Sequence, residues 1–258
     1  FCLDSQFGLS MSRALGEAWA HLSHVPLRAS ASDRSECVNE VLAGETVIEL
    51  ILGDKDWVKV RLPDGYEGWM DRRQLKPVTT LWQGMPIRLS TASTWVGVAG
   101  GWLPAGAVVR KHHDSWFLGE QQIETSDKPP APYKGDMWDW CNTMLGVPYH
   151  WGGRCSWGLD CSGMTALAAA LTGKVVPRDA SHQFDCGLDI PTDQIRKDDV
   201  AFFGDDSKRP THVGICNGEG QVVHASGEVR IDDLIGHHLI RQDNQVTSHK
   251  LIGIRRWS

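Results

Sequence analysis

The stretch Pro148-Tyr149-His150-Trp151-Gly152-Gly153, running on through Gly158-Leu159-Asp160 into Cys161-Ser162-Gly163-Met164, decides how this chain is read. From Cys161 onward, Met164, Leu167, Ala168 and Leu171 recur at i, i+3, i+4 and i+7. That is the period of an amphipathic helix, which Gly173 stops. A glycine-rich loop therefore feeds a cysteine into the first turn of a helix. There a thiol meets the positive end of the helix dipole and backbone N–H groups that lack intrahelical partners. The placement is expected to lower its pKa, and the same N–H groups suit an oxyanion hole. The alternative for any free cysteine is a small buried apolar side chain.

A nucleophilic thiol needs a base, and the base needs an orienting group. Strands are expected at residues 199–203, 212–216, 221–225 and 251–255. His212 opens the second of these and His224 lies near the end of the third, with Gly218-Glu219-Gly220 between them. If Asn217 pairs with Gln221, Gly214 faces His224, and the two-residue alternation puts His212 on the same side of the sheet. Two diagonal histidines then supply a base and its orienter, although with 11 His in the chain such an alignment also arises by chance. Upstream, Asp136 is expected to cap a helix running through Trp138, Cys141 and Leu145 to Gly146. Helices first and strands later, without alternation, argue for an α+β domain with an antiparallel sheet.

Toward the N-terminus the texture changes. Thr125-Ser126-Asp127-Lys128-Pro129-Pro130-Ala131-Pro132 reads as a semi-rigid spacer, because three prolines in four residues fit neither a helix nor a central strand. Before it, residues 47–51 and 57–62 are rich in β-branched and large apolar side chains and are punctuated by Gly53-Asp54-Lys55-Asp56 and Pro63-Asp64-Gly65. They indicate a small all-β barrel. Residues 79–123 repeat this texture more loosely and read as a diverged second barrel. The expected division is 1–78, 79–128 and 129–258. Trp57 and Trp69 are expected in the barrel core, Trp138 and Trp140 in helix packing, and Trp151 near the cleft.

Composition narrows the function. Lys plus Arg number 26 against 32 Asp plus Glu in 258 residues, which excludes the basic surface of a nucleic-acid binder. No apolar run approaches the length of a membrane span. Seven cysteines occur, none in a C-x-x-C, so neither structural zinc nor thioredoxin-like chemistry is indicated; no metal and no cofactor is expected. The first residues lack the pattern of a signal peptide, and the chain opens on Phe1 rather than Met.

Several motifs in order now carry a resemblance. Pro148 to Gly153, Asp160-Cys161-Ser162-Gly163, Pro177-Arg178-Asp179-Ala180, Asp199-Val200-Ala201-Phe202-Phe203, Thr211-His212-Val213-Gly214-Ile215 and Val223-His224-Ala225-Ser226 resemble the NlpC/P60 cysteine peptidases, over about 130 residues from Tyr133 onward. Residues from about 20 to 125 resemble the paired bacterial SH3 modules that precede this domain in the γ-D-glutamyl-L-diamino acid endopeptidases of murein-peptide recycling. The resemblance implies a papain-like catalytic domain preceded by two small SH3-like barrels. It maps the nucleophile to Cys161, the base to His212, the orienting residue to His224, and the tyrosine beside the reacting carbonyl to Tyr149. It implies that Asp160 and Ser162 anchor the free amine of an N-terminal L-Ala, with Glu36 and Tyr66 lent by the first SH3 module. Arg178 and Asp179 would line the opposite wall. Two departures stand out: Asp198-Asp199 replaces the usual Gly-Asp, and Ala180 stands where Ser often follows the Arg-Asp pair.

Physically, Asp160 is a short carboxylate one residue from the nucleophile, suited either to an ammonium or to capping its own helix. The resemblance implies a monomer acting on a murein tri- or tetrapeptide, with no nucleic acid or membrane partner. Its compartment is expected to be the bacterial cytoplasm, or the periplasm or cell envelope if an upstream signal has been removed. The competing expectations are a cell-wall-binding protein acting through its SH3 modules, and an amidase or acyltransferase on the same fold.

Overall fold

The computed structural model describes residues 14–98, 101–125, 129–205 and 209–258. Residues 1–13, Cys2 included, and residues 126–128 at the start of the proline-rich spacer lie outside the described residues. The chain divides into two compact units, with the boundary in sequence between Tyr133 and Lys134.

Among the described residues the N-terminal unit is built mainly from strands, with a 3-10 turn at Arg72–Gln74. Its first module has β1 (Gly16–Ala20), β2 (His24–Arg28), β3 (Cys37–Leu42), β4 (Thr46–Leu52), β5 (Trp57–Arg61), β6 (Glu67–Asp71) and β7 (Leu75–Pro77). These form one antiparallel sheet in the order β3-β2-β6-β5-β4-β1-β7. Alternation sends Val58, Val60 and Met70 into a core shared with Val25, Leu27 and Val41. Trp57 and Trp69 take the opposite face of β5 and β6 and are half-buried rather than in the core. A strand offers only every second position to the interior, and here valine and methionine hold those positions.

A second module follows, with β8 (Met85–Arg88), β9 (Ser93–Thr94), β10 (Trp102–Leu103), β11 (Val108–His112), β12 (Ser115–Leu118) and β13 (Gln121–Ile123). A four-stranded sheet, β13-β12-β11-β8, and a two-stranded ribbon of β9 and β10 make it up. It shares a core with the first module. Trp19 of β1 and Ala43 are buried together with Leu89, Trp95, Leu103, Trp116 and Leu118. Val108 N–H donates to the Ala43 carbonyl at 2.8 Å, and Arg88 pairs with Glu45 at 2.7 Å. Gly119 has φ +57, and a Cβ there would run into the Trp19 ring, so this approach requires glycine.

The C-terminal unit carries helices and strands. In chain order these are α1 (Met137–Asn142), β14 (Arg154–Cys155), β15 (Gly158–Leu159), α2 (Cys161–Leu171), α3 (Ala180–Phe184), β16 (Leu188–Asp189), β17 (Lys197–Gly204), β18 (Pro210–Asn217), β19 (Gln221–Ser226), β20 (Glu228–Ile235), β21 (His238–Ile240) and β22 (Thr247–Arg256). Strands β17 to β22 run in the order β22-β17-β18-β19-β20-β21, and β21 pairs back to β22 to close a six-stranded antiparallel barrel. Helix α2 packs on β18 and β19, with α1 and α3 beside it. Ala201, Phe203, Cys216, Val222, Leu239 and Ile254 are buried together in a core of the barrel.

Two elements differ from expectation for local reasons. Helix α1 stops at Asn142 because Thr143 and Met144 N–H groups bond three residues back, and the Thr143 hydroxyl takes the Trp140 carbonyl at 2.7 Å. Strand β20 reads Glu-Val-Arg-Ile-Asp-Asp-Leu-Ile, too charged for a strand signal, yet ladders to β19 on one side and β21 on the other hold it.

Candidate active site

Helix α2 begins where its cap can be met. Asp160 sits at the N-cap with extended backbone (φ −90, ψ 172), and its Oδ1 accepts from Gly163 N–H at 2.6 Å. The first turn lies so close to the preceding loop that a Cβ on Gly163 would overlap the Gly153 carbonyl oxygen. Cys161, the first helical residue, is buried.

Asp160 does more than cap. Its Oδ1 also accepts from Arg178 Nη1 at 3.0 Å and the Ser162 hydroxyl at 3.3 Å; its Oδ2 accepts from Gly152 N–H at 2.9 Å and Arg178 Nη2 at 2.6 Å. Arg178 is 3% exposed and donates as well to Ser162 Oγ at 2.8 Å. Five donors thus converge on two oxygens with about four lone-pair sites between them. The carboxylate expected at the sequence level to meet a substrate amine is filled from within the protein, and Arg178 is its counter-ion rather than a separate wall. Gln183 anchors this cluster: its amide donates to the Ser162 and Pro177 carbonyls at 3.0 and 2.9 Å and accepts from Thr165 at 2.8 Å. Asp179 stands at the start of α3, half-exposed, 3.8 Å from His182.

The register Gly214↔His224 puts His212 and His224 on one face of β18 and β19. His212 Nε2 and His224 Nδ1 are 2.8 Å apart, both rings buried. His224 Nε2 reaches Asp232 Oδ2 at 3.0 Å, and Arg230 Nε donates to the same oxygen at 3.0 Å. His249 of β22 stacks on His212 with ring centroids 4.1 Å apart and 17° between planes. Asp232, His249 and Gln183 are absent from the sequence-level site. The signal for Asp232 was the hairpin at Gly227: pairing His224 with Arg230 across it puts Asp232 on the same face, two residues on.

The electrostatics correct one expectation. Burial pushes the Cys161 thiol up to about 11, and Asp160 adds to this; the backbone N–H groups of Val213 and Ser162, and Arg178, pull it back only in part. Desolvation therefore outweighs the helix dipole, and the resting thiol is protonated. Burial also holds His212 well below the ordinary histidine value, helped by His224, His249 and Arg230. Burial likewise lowers His224, against the pull of Asp232. Burial works against the charge of Asp232, but the bonds from His224 and Arg230 together hold it at about 2. The site at rest is a neutral thiol, two neutral imidazoles and an ionised carboxylate. Such a set can pass the thiol proton to an imidazole as the sulfur attacks a carbonyl.

Tyr149 is half-buried, its N–H bonded to the Gly227 carbonyl at 2.9 Å. Burial raises its phenol to about 12, with Cys161 and Asp160 adding to the effect, so the ring shares the electrostatic neighbourhood of the thiol. Trp151 is 60% exposed on the loop before Gly152. Glu36 and Tyr66 belong to the N-terminal unit: Glu36 is exposed just before β3, and Tyr66 packs half-buried against the core of the first module. Among the described residues Cys141, Cys161 and Cys216 are free thiols, and no group of three or more His, Cys, Asp or Glu is arranged to hold a metal ion. Among the same residues no helix is long and apolar enough to cross a membrane.

Comparison with known proteins accords with this geometry. Residues 146–248 match the NlpC/P60 family, and residues 27–75 match the bacterial dipeptidyl-peptidase Sh3 domain. The gamma-D-glutamyl-L-lysine dipeptidyl-peptidase of Bacillus subtilis is 28% identical over 211 residues, 72% of this chain and 71% of that protein. Its namesake from Bacillus cereus is 27% identical over 230 residues, 72% of this chain and 67% of that protein. A solved NlpC/P60 family protein from Bacillus cereus shares the fold, with a TM-score of 0.72 at 19% identity over 94% of this chain and 99% of the other. This chain is a cysteine peptidase with an NlpC/P60 domain and a bacterial SH3-type domain.

Proposed function

We propose that this enzyme hydrolyses the γ-D-glutamyl bond to a diamino acid, meso-diaminopimelate or L-Lys, in murein peptides that carry a free N-terminal L-Ala. The observation that carries the reading is the buried series His212, His224, Asp232, its histidines on the strands β18 and β19 on which α2 packs, with the Val213 N–H at the Cys161 sulfur. The two relatives named for γ-D-glutamyl-L-lysine support the choice of bond.

Attack of the Cys161 sulfur on the γ-carbonyl is coupled to transfer of its proton to His212. His212 then protonates the departing amine of the diamino acid. Water, deprotonated by the same imidazole, releases the acyl group and restores the thiol. Backbone N–H groups of the first turn of α2 face the developing oxyanion. Arg178 balances the fixed charge of Asp160 beside the reacting centre. Tyr149 lines the carbonyl side. The wider fold reading is a papain-like α+β domain and a second, diverged SH3-like module at residues 79–128, supported by the antiparallel four-stranded sheet there.

The test is incubation with L-Ala-γ-D-Glu-meso-diaminopimelate and its L-Lys counterpart, with products resolved by mass. Release of L-Ala-D-Glu by the wild type and not by Cys161→Ala is expected. An inert wild type, or an active Cys161→Ala, sinks the reading.

A further inference from the structure

Asp232 takes no part in the steps above, yet its side chain is 2% exposed. A carboxylate removed from water is costly unless its charge is matched. Its Oδ2 accepts from Arg230 Nε at 3.0 Å and lies 3.0 Å from His224 Nε2, while Gln242 N–H approaches Oδ1 at 3.4 Å. Arginine only donates, so the carboxylate stands as acceptor, and an ionised acceptor requires the proton of His224 on Nε2. A neutral imidazole protonated there has a lone pair at Nδ1. Across the 2.8 Å contact, His224 Nδ1 must therefore accept, and His212 Nε2 must carry the hydrogen. The remaining nitrogen, His212 Nδ1, keeps its lone pair.

We infer that Asp232 is a positioning residue: acting through His224, it sets the tautomer of both imidazoles and so keeps His212 Nδ1 as the basic atom for Cys161. The inference rests on the reading of His212 as the base of the peptidase. It also accounts for the charge that appears during turnover. When His212 takes the thiol proton, the new imidazolium lies in a buried site where Asp160 is already tied to Arg178. Asp232 is the carboxylate joined to it through hydrogen bonds. Other groups facing the pair are His249 from β22, and Arg230 and Arg241, whose positive charges oppose protonation of the imidazoles.

The experiment compares wild type, Asp232→Leu and the shape-conserving Asp232→Asn in the full chain, by three readouts. Imidazole 15N shifts report which nitrogen carries the proton. The alkylation rate of Cys161 by iodoacetamide across pH, followed by mass of the peptide that contains it, reports the base without any substrate. Cleavage of L-Ala-γ-D-Glu-meso-diaminopimelate reports kcat and KM. In the wild type both rings should be protonated on Nε2. In Asp232→Leu, His212 should shift toward the Nδ1–H form, and alkylation rate and kcat should fall ~100-fold, less than the ~10⁴-fold seen when a carboxylate bonded directly to the base is lost, because Asp232 acts through His224. KM should stay within ~3-fold, as expected for loss of an interaction made in the transition state. Asp232→Asn, whose amide N–H can donate to His224 Nε2 and so impose the opposite tautomer, should move the same way, and serves if the Leu variant does not fold. Unchanged tautomers and alkylation in both variants, or a wild type protonated on Nδ1 of His212, overturn the inference. If wild type fails to cleave either peptide while the first two readouts behave as stated, the substrate reading fails and the role of Asp232 stands.

Discussion

Among the described residues the buried polar side chains of the N-terminal unit are Asn39, Glu40 and Glu49, all on strands β3 and β4, and the interior is otherwise alanine, valine, leucine, isoleucine, methionine and tryptophan. In the C-terminal unit the buried polar set is Asp160, Ser162, Thr165, Arg178, Gln183, Asp199, His212, His224 and Asp232. Both units contain antiparallel sheet over a hydrophobic core, so the sheets alone do not account for the contrast. It comes from what the second unit must hold still. Polar groups in a low-dielectric interior orient one another strongly when every partner is present, and are destabilising when one is missing. The C-terminal unit accepts that risk in two linked sets, one around Asp160 next to Cys161 and one around Asp232.

The contrast can be broken or sharpened by measurement. Cys161→Ala should remove activity, with a loss in kcat on the order of 10⁶ by analogy with other nucleophile deletions, while leaving the melting temperature near that of the wild type. Retained turnover would mean that the polar interior of the second unit serves stability alone. Arg178→Met should then separate the units by stability: it leaves the Asp160 carboxylate buried without its counter-ion and should cost ~3–5 kcal/mol by denaturant unfolding. A cost under 1 kcal/mol would show Asp160 to be wetter than its burial indicates. Trp19→Ala is the counterpart in the first unit, where a cavity rather than a lost charge partner should cost ~3–5 kcal/mol and leave the intrinsic reactivity of Cys161 unchanged.

Acid should separate the units in a different way. Burial lowers His212 and His224 from the ordinary 6.5, so the unfolded chain binds more protons than the folded one between that value and the folded pKa values. The stability of the C-terminal unit should therefore fall as pH drops below about 6.5. In the N-terminal unit the shifted carboxylates are Glu67 and Asp71, lowered by bonds to Lys59 and Arg73 respectively, and Glu120, held at about 2 by Thr79. Its losses should begin only below about pH 4.5. Regional hydrogen exchange at pH 7, 5.5 and 4 checks this, and equal weakening of both units at pH 5.5 would contradict it. The same lowering places the acid limb of kcat/KM below pH 6.5. The smallest effect is expected from His249→Ala. Losing a ring stacked on His212 should reduce kcat ~2- to 10-fold, since such contacts contribute ~0.5–1.5 kcal/mol.

Much of the catalytic unit was legible before any coordinates. The helix from Cys161 to Leu171, its Asp160 cap, and the pairing of Gly214 with His224 all follow from short-range rules. Local spacing is sufficient there because a helix cap spans three residues and a hairpin register spans ten. Less could be read where residues meet across long separations. Trp57 and Trp69 looked like core and proved half-buried, because period-two alternation gives the interior to their neighbours, and only the register says which neighbours. Strand β20 was hidden by its charges, and with it Asp232.

Local chain chemistry thus settled where the thiol sits and which histidines face one another, since sequence neighbours are held together by the backbone itself. It could not settle the ionisation of Cys161. A helix start favours thiolate, and burial by β18 and its neighbours favours thiol; only the packed fold shows that desolvation is the larger effect. Nor could it show that Arg178 and Gln183, 17 and 22 residues beyond the nucleophile, return to fill the oxygens of Asp160 and the carbonyl of Ser162. Charge compensation is a property of what surrounds a group in space, and sequence distance carries little information about it.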